Sequence, residues 1–388
     1  MGKKKKVLHV LNGLGFGGAE TWLLEMVKRN KGEAQFDFLL TGGVERELDN
    51  EFRNLGCHLY YIKYSGSHIF KFVRSFKQLV KSQQYDVIHD HEDFVAGWHW
   101  LFLLFQLPPM RICHAHNSMV YINNYTKSIG RKWFYKTGKY LNGLLATHIT
   151  GTSNQLMGEL GYNNNFFRRK RIEPLYCGAA PGAFKFNSNT RTGIRQQLGF
   201  APEDKVVIFI GRIGLTRENE INHKFPEFAF DIATQMAAEN KTFRFLFVGE
   251  KGKLGADMEN EVKRKGLENN IFFTGKRKDV PQLLSAADLM LFTSIIEPFG
   301  LVLVEAQFAA LPIVASDIIT KETVVFPELL SLQAIQNADK SQWVKAIQEL
   351  LYSGYSREGF AKMHEKEIDG SIFSTEASYR RLLKTYQV

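Results

Sequence analysis

The stretch from Glu297 to Glu305, EPFGLVLVE, carries a carboxylate at each end of a segment that otherwise reads as core. Pro298 and Gly300 mark a loop, and the apolar run from about Leu301 to Ala310 predicts a helix ahead of the strand-like PIVAS. A helix start leaves N–H groups without partners, here near Gly300, Leu301 and Val302, and the helix dipole makes that place a seat for phosphate. Glu297 precedes the seat and Glu305 lies about one turn inside the helix. At ~1.5 Å rise per residue the carboxylates are separated by roughly the span of a diphosphate. A carboxylate accepts from paired hydroxyls, so one can read a sugar and the other a ribose. Glu297 alone also reads as a helix-start carboxylate that favours the dipole. Glu305 is costly to bury in an apolar turn, which calls for a ligand or a buried arginine.

Arg212 follows the strand in KVVIFIGR and falls at a carboxyl end, with Arg217 and Lys224 a little further on. An arginine fork and a second cation can hold a diphosphate and neutralise it as it leaves, with no metal required. Taken alone, a strand-end arginine reads more simply as solvated or paired. Near the start, GLGFGG (Gly13 to Gly18) satisfies the G-x-G-x-x-G spacing of a dinucleotide loop. The second strand, however, ends in Thr41, Gly42 and Gly43, where that fingerprint needs an acid. What remains is an anion seat at the helix from about Ala19, or a plain tight turn, evenly balanced. His89 and His91 in HDHEDF, and His114 and His116 in HAH, each alternate along a strand and share a face, so they could ligate a metal. Their predicted place at strand ends beside a ligand favours contact with substrate, and no metal site is expected.

Positioning these groups takes strands that end together. Short β-branched or apolar runs alternate with amphipathic segments throughout, which predicts βαβ units and parallel sheets. KVLHVL, FDFLLTGG, DVIHDH and RICHAHNS are strands of a first series; KVVIFIGR, RFLFVGE, NIFFTG, DLMLFTS and PIVAS form a second. Between them, 185–204 loses the rhythm and reads as a linker with one short helix. The expected organisation is a domain over 1–187, a domain over 205–371, and a terminal helix over about 372–388. Ligands of open α/β sheets lie beyond the carboxyl ends of the strands, so two doubly wound domains facing a deep cleft are expected.

A chain of 388 residues with 44% hydrophobic and 23% charged residues buries a large core, which excludes a disordered chain. The net charge of +10 favours an acidic partner: nucleic acid, anionic lipid or a phosphorylated small molecule. No recognised nucleic-acid module accompanies it, so nucleic acid ranks last. Three scattered cysteines suit a reducing compartment. MGKKKKVLHVLNGLGFGG makes a poor signal peptide. WLFLLFQL is far shorter than the roughly 20 residues of a spanning helix and predicts a buried helix instead. The expected location is the cytoplasm, with the inner face of the cell membrane as an option. There, the basic and aromatic 125–145 segment and FFRRKR (166–171) could attach peripherally; a solvated helix face explains them equally well.

With GFGGAE, the Gly-Arg pair, FTGKRKDVPQLLSAADLMLFTSIIEPFGLVLVEA and LPIVASD in this order, the chain resembles the retaining GT-B glycosyltransferases of family 4 over nearly its whole length. These include bacterial capsule, exopolysaccharide and lipopolysaccharide enzymes. The resemblance implies an acceptor-binding first domain and a second that binds a nucleotide sugar, UDP-linked by family frequency, with no further cofactor. It implies that Glu297 contacts sugar hydroxyls, that Phe299, Gly300 and Leu301 offer backbone groups, and that Glu305 binds the ribose. Arg212 would hold the diphosphate, with Arg277 in the donor set. His116 would face the reacting sugar, and Gly17 and Gly18 would form the loop near the diphosphate. The anomeric configuration would be retained, and the acceptor would be a glycan or a lipid-diphosphate-linked sugar. The terminal helix would cross back onto the first domain. One departure stands out: the family places a lysine soon after Gly-Arg, where GRIGLTRENEINHKF offers Arg217 by spacing, or Ile221 with Lys224 nearby by alignment of NHKF. That departure keeps two other readings open, a non-catalytic module that binds nucleotide sugar or a partner, and a nucleotide-sugar epimerase.

Overall fold

A computed structural model describes residues 4–125, 128–214 and 222–387. The chain forms two compact units, Met1–Gly178 with Ile372–Val388, and Ala179–Ser371.

The first unit holds a six-stranded parallel sheet in the order β3-β2-β1-β4-β5-β6. Its strands are β1 (Lys5–Leu11), β2 (Ala34–Leu40), β3 (His58–Tyr61), β4 (Val87–Asp90), β5 (Met110–Ala115) and β6 (His148–Gly151). The second holds another, in the order β12-β11-β10-β7-β8-β9. Here the strands are β7 (Lys205–Ile210), β8 (Phe243–Val248), β9 (Ile271–Gly275), β10 (Leu289–Phe292), β11 (Ile313–Ser316) and β12 (Leu330–Gln333). Central strands such as β8, FRFLFV, are almost continuously apolar because helices cover both faces of a parallel sheet. In each unit the order reverses once, between β1 and β4 and between β7 and β10, and loops at such a reversal splay apart to admit a ligand.

The boundary falls earlier than 187. The Pro181–Phe184 helix packs on the helices Val280–Ala286 and Leu301–Phe308 of the second unit. The 185–204 stretch is also more than a linker. Its helix Ser188–Gln197 carries Arg191 and Arg195, which bond the two oxygens of Asp288 at 2.5 and 2.9 Å, just ahead of β10. A polar composition hid a clamp.

The terminal helix Thr375–Tyr386 packs on Gly18–Arg29 within the first unit. Trp22 donates to the Ser378 hydroxyl at 2.7 Å, and that hydroxyl donates to the Tyr176 carbonyl at 2.7 Å. The expected buried helix at WLFLLFQL is only partly so. The helix Ala96–Phe102 buries Trp100, but Phe105 beyond its end is 93% exposed and Leu104 also faces water, since a turn has no apolar stripe to keep. Cys57, Cys113 and Cys177 are free and buried. Among the described residues, no helix is long and apolar enough to cross a membrane.

Candidate active site

The second unit builds its site from the loops after β7 and β10. Gly211 follows β7, and Gly249 after β8 approaches it so closely that a Cβ there would sit 1.9 Å from the Gly211 oxygen. Arg212 comes next, exposed, with its carbonyl accepting from the Asn222 side chain at 2.9 Å. The same asparagine accepts from the Lys224 N–H at 3.0 Å, so one side chain ties the Arg212 backbone to the Lys224 turn. Thr293, at the end of β10, donates to the carbonyls of Lys224 and Phe225 at 2.9 and 3.0 Å and completes the bracket.

Lys224 reaches across the Phe292 ring, 5.1 Å from its centroid, and bonds the Glu297 carboxylate. Ser294 donates to the same carboxylate oxygen at 3.3 Å. Glu297 itself is nearly covered, with 10% of its side chain exposed. Gly300 then takes a left-handed φ of 84°, where a Cβ would press on Glu297 Cγ at 3.2 Å and Leu303 Cδ1 at 3.0 Å. The helix Leu301–Phe308 starts directly after it, with no side-chain cap and no acid in its first turn. Its opening N–H groups are left for a ligand or water. Phe299 is buried beneath this start.

The far end of that helix is fixed. Arg357, buried, donates to the carbonyls of Ala309 at 2.5 Å and Ala310 at 3.2 Å, and to those of Leu284, Ser285 and Ala287. A cation on a helix C-terminus complements the dipole. Gln307 donates to Thr323 O and accepts from the Val325 and Phe326 N–H groups. Arg357 and Gln307 are positioning residues that the sequence reading missed.

Glu305 stands, on sequence, between a ligand and a buried arginine as its partner. No described side chain pairs with it, so the buried-arginine explanation finds no support among the described residues. Burial alone pushes its carboxyl up to about 7. Of the other expected donor residues, Arg277 is committed elsewhere: it forks onto Asp279 at 2.7 and 2.5 Å at the start of the Val280–Ala286 helix. Arg217 and Ile221 lie outside the described residues. Lys224, the nearby substitute, is the cation that meets Glu297.

In the first unit, Gly17 caps the Gly18–Arg29 helix in an extended conformation. The Glu20 carboxylate folds back over it, so that a Cβ on Gly17 would lie 2.1 Å from Glu20 Oε2. That helix start supplies an anion of its own.

The histidines gather more closely than their spacing suggested, because parallel register sets β1, β4 and β5 side by side. His9 pairs with His89 in register and joins the group. His116 Nε2 lies 2.9 Å from His91 Nδ1, and His91 Nε2 lies 3.0 Å from His9 Nδ1. A second file runs from Tyr386 OH to His89 Nδ1 at 2.6 Å and from His89 Nε2 to His114 Nδ1 at 3.2 Å. Burial pulls His9 down to about 3, His116 to about 4, and His89, His91 and His114 well below the usual range. These rings are neutral at pH 7. His99 differs: burial pulls it down too, but Asp90, at 2.6 Å, outweighs this and raises it.

His116 is held by its backbone. Its N–H donates to Asp93 at 2.7 Å, and Asn117 donates to the same carboxylate from backbone and side chain at 3.1 and 2.6 Å. Asp93 has a left-handed φ of 51°, a strain tolerated where a side chain must be aimed. Its carboxyl is raised to about 6, burial outweighing those three bonds. The sequence signal for Asp93 was present in HEDF, an acid just after a strand end.

Comparisons with known proteins follow the same division. Residues 204–353 match the family described as Glycosyl transferases group 1, and residues 16–181 match Glycosyltransferase Family 4. The chain is 25% identical over 365 residues to EpsF of Bacillus subtilis (strain 168), spanning 92% of this chain and 91% of EpsF. It is 26% identical over 318 residues to the capsular polysaccharide biosynthesis glycosyltransferase CapH of Staphylococcus aureus, with 81% of each covered. Among solved structures, Anabaena Alr3699/HepE in complex with UDP superposes with a TM-score of 0.77 at 18% identity, covering 99% of this chain and 100% of that one.

Proposed function

Because the chain belongs to the family 4 glycosyltransferases and has their two-domain GT-B architecture, we propose that it transfers a sugar from a UDP-sugar, with retention, to a glycan or lipid-linked acceptor of a bacterial surface polysaccharide. The observation that carries this reading is the pair of carboxylates around the uncapped start of Leu301–Phe308. Glu297 is held in place by Lys224 and Ser294, and Glu305 is half-buried with no partner among the described residues.

The diphosphate sits on the N–H groups at Leu301 and Val302. Lys224 exchanges Glu297 for the diphosphate, Glu297 accepts from sugar hydroxyls, and Glu305 accepts from the ribose. Arg212 supplies the second cation. As the anomeric carbon–oxygen bond to phosphate breaks, the acceptor oxygen bonds to the same face of that carbon, and its proton passes to the departing phosphate oxygen. Two cations neutralise the leaving diphosphate, so transfer needs no metal. Within the first unit, His116, its backbone held by Asp93, is the residue we assign to the reaction.

The helix Ile129–Leu145 supports attachment to an anionic membrane. Ile129, Trp133, Tyr140 and Leu144 are all exposed along one stripe, with Lys132 and Lys136 on the same helix. Such a stripe inserts shallowly while the lysines meet headgroups.

Thermal stabilisation by a panel of nucleotide sugars, followed by product detection with the best donor, tests the proposal. Transfer to a glycan or lipid-linked acceptor that survives EDTA is expected. Binding without turnover across a broad acceptor panel would mean a binding module. Donor conversion with no acceptor present would mean an epimerase.

A further inference from the structure

The first unit contains a group of ring nitrogens of which the transfer reaction calls on His116 alone. One nitrogen from each of His91, His114 and His116 lies within 4.8 Å of the others, and His9, His89 and His91 form an overlapping set. The two sets share His91, whose Nδ1 faces His116 and whose Nε2 faces His9.

Four observations bear on the first set. Among the described residues, His114 Nε2 is fully buried and meets no hydrogen-bond partner in good geometry, the Leu175 backbone being a further polar contact of the ring. A buried ring nitrogen without a partner forfeits its desolvation cost unless something occupies the space it faces. His114's other nitrogen, Nδ1, meets His89 Nε2 at 3.2 Å, and His89 in turn meets Tyr386 OH at 2.6 Å. With His114 donating along that file, its Nε2 presents a lone pair, and its ring is oriented as outer partners orient the imidazole ligands of metals. His91 Nδ1 and His116 Nε2 are already 2.9 Å apart. Two imidazole ligands of a tetrahedral ion with bonds of ~2.0 Å stand about 3.3 Å apart, so a slight opening replaces their shared proton by a metal. His116 is also the only partly exposed member of the set, which provides a way in.

We infer that His91, His114 and His116 form a three-histidine site for a divalent transition ion of the zinc class, with its fourth position open to water. All-imidazole donors suit zinc, cobalt, nickel and copper, and exclude magnesium and calcium, which prefer oxygen. All three ligands belong to the first unit.

Cobalt(II) is the probe, titrated into the full chain and read by visible absorption and calorimetry without any substrate. One ion per chain with a four-coordinate absorption band is expected. His116→Asn, at the partly exposed position, and His91→Gln should each weaken binding by more than about 100-fold. His68→Ala, on a turn outside the group, should leave it within about 3-fold, and His9→Gln, which removes the partner of His91 Nε2, should weaken it less than either ligand variant. Circular dichroism and melting confirm that each variant is folded. Absence of binding at about millimolar cobalt overturns the inference. So does unchanged binding in folded His116→Asn, or loss in His9→Gln with His116→Asn unaffected.

Discussion

Two helices of this protein begin at a glycine after a parallel strand, and they treat their free N–H groups in opposite ways. At Gly17 the Glu20 carboxylate folds over the start, so the first unit brings its own anion. At Gly300 there is no cap and no acid in the first turn, and the nearest carboxylate, Glu297, is turned to Lys224. The same contrast extends inward. The first unit buries its histidines as neutral rings bonded to one another, whereas the second leaves Glu305 in an apolar turn without a described partner. A helix start binds a ligand when the fold has left it unsatisfied, and the G-x-G-x-x-G spacing alone does not report that.

The largest expected effect separates the units by acid. Depressed histidines contribute stability that is present above their unfolded pKa of about 6.5 and lost as pH falls towards their folded values. Each such ring costs up to about 1.4 kcal/mol per pH unit below 6.5, and His9, His89, His91, His114 and His116 act together. Trp22, Trp98, Trp100 and Trp133 lie in the first unit and report its unfolding by fluorescence. That signal should collapse near pH 5, while hydrogen exchange at β7 and β10 stays protected. Simultaneous loss in both units would erase the contrast.

Lys224→Met should weaken binding of UDP-sugar by about 10- to 100-fold, the worth of a charge-assisted bond, by calorimetry. An effect below 3-fold would return the family lysine's place to Arg217. Glu305→Gln sharpens the comparison through pH. A carboxyl raised to about 7 gives stability that is full below its unfolded pKa and lost as pH rises through 7. The variant should therefore gain up to about 3 kcal/mol over the parent at pH 8 and nothing near pH 4, measured by denaturant melts. Its affinity for UDP-sugar should lose the parent's rise between pH 6 and 8. Arg277→Ala should change donor affinity least, under about 2-fold, because that guanidinium is spent on Asp279.

Much of this was legible locally. The Pro-Gly loop, the helix after it and the two glutamates read directly from EPFGLVLVE, since helix starts are encoded within a few residues. The strand series was equally plain, because strands buried on both faces are apolar throughout. What escaped depends on distance along the chain. His9 meets His91 only through the register of β1 with β4, and Tyr386 meets His89 across nearly the whole sequence. Arg191 and Arg195 sat in a stretch whose composition reads as loop, yet they hold Asp288. Lys224 follows an irregular segment that spacing arguments cannot cross, and only its bond to Glu297 shows where it acts.

The central claim is that Glu297, at the mouth of the Leu301–Phe308 helix, meets the sugar being transferred. The direct test is turnover by Glu297→Ala with the donor identified by screening. Transfer should fall by at least about 100-fold while the variant still binds UDP, which relies on the helix start, Arg212 and Glu305. Transfer by the folded variant at the parent's rate would contradict the account.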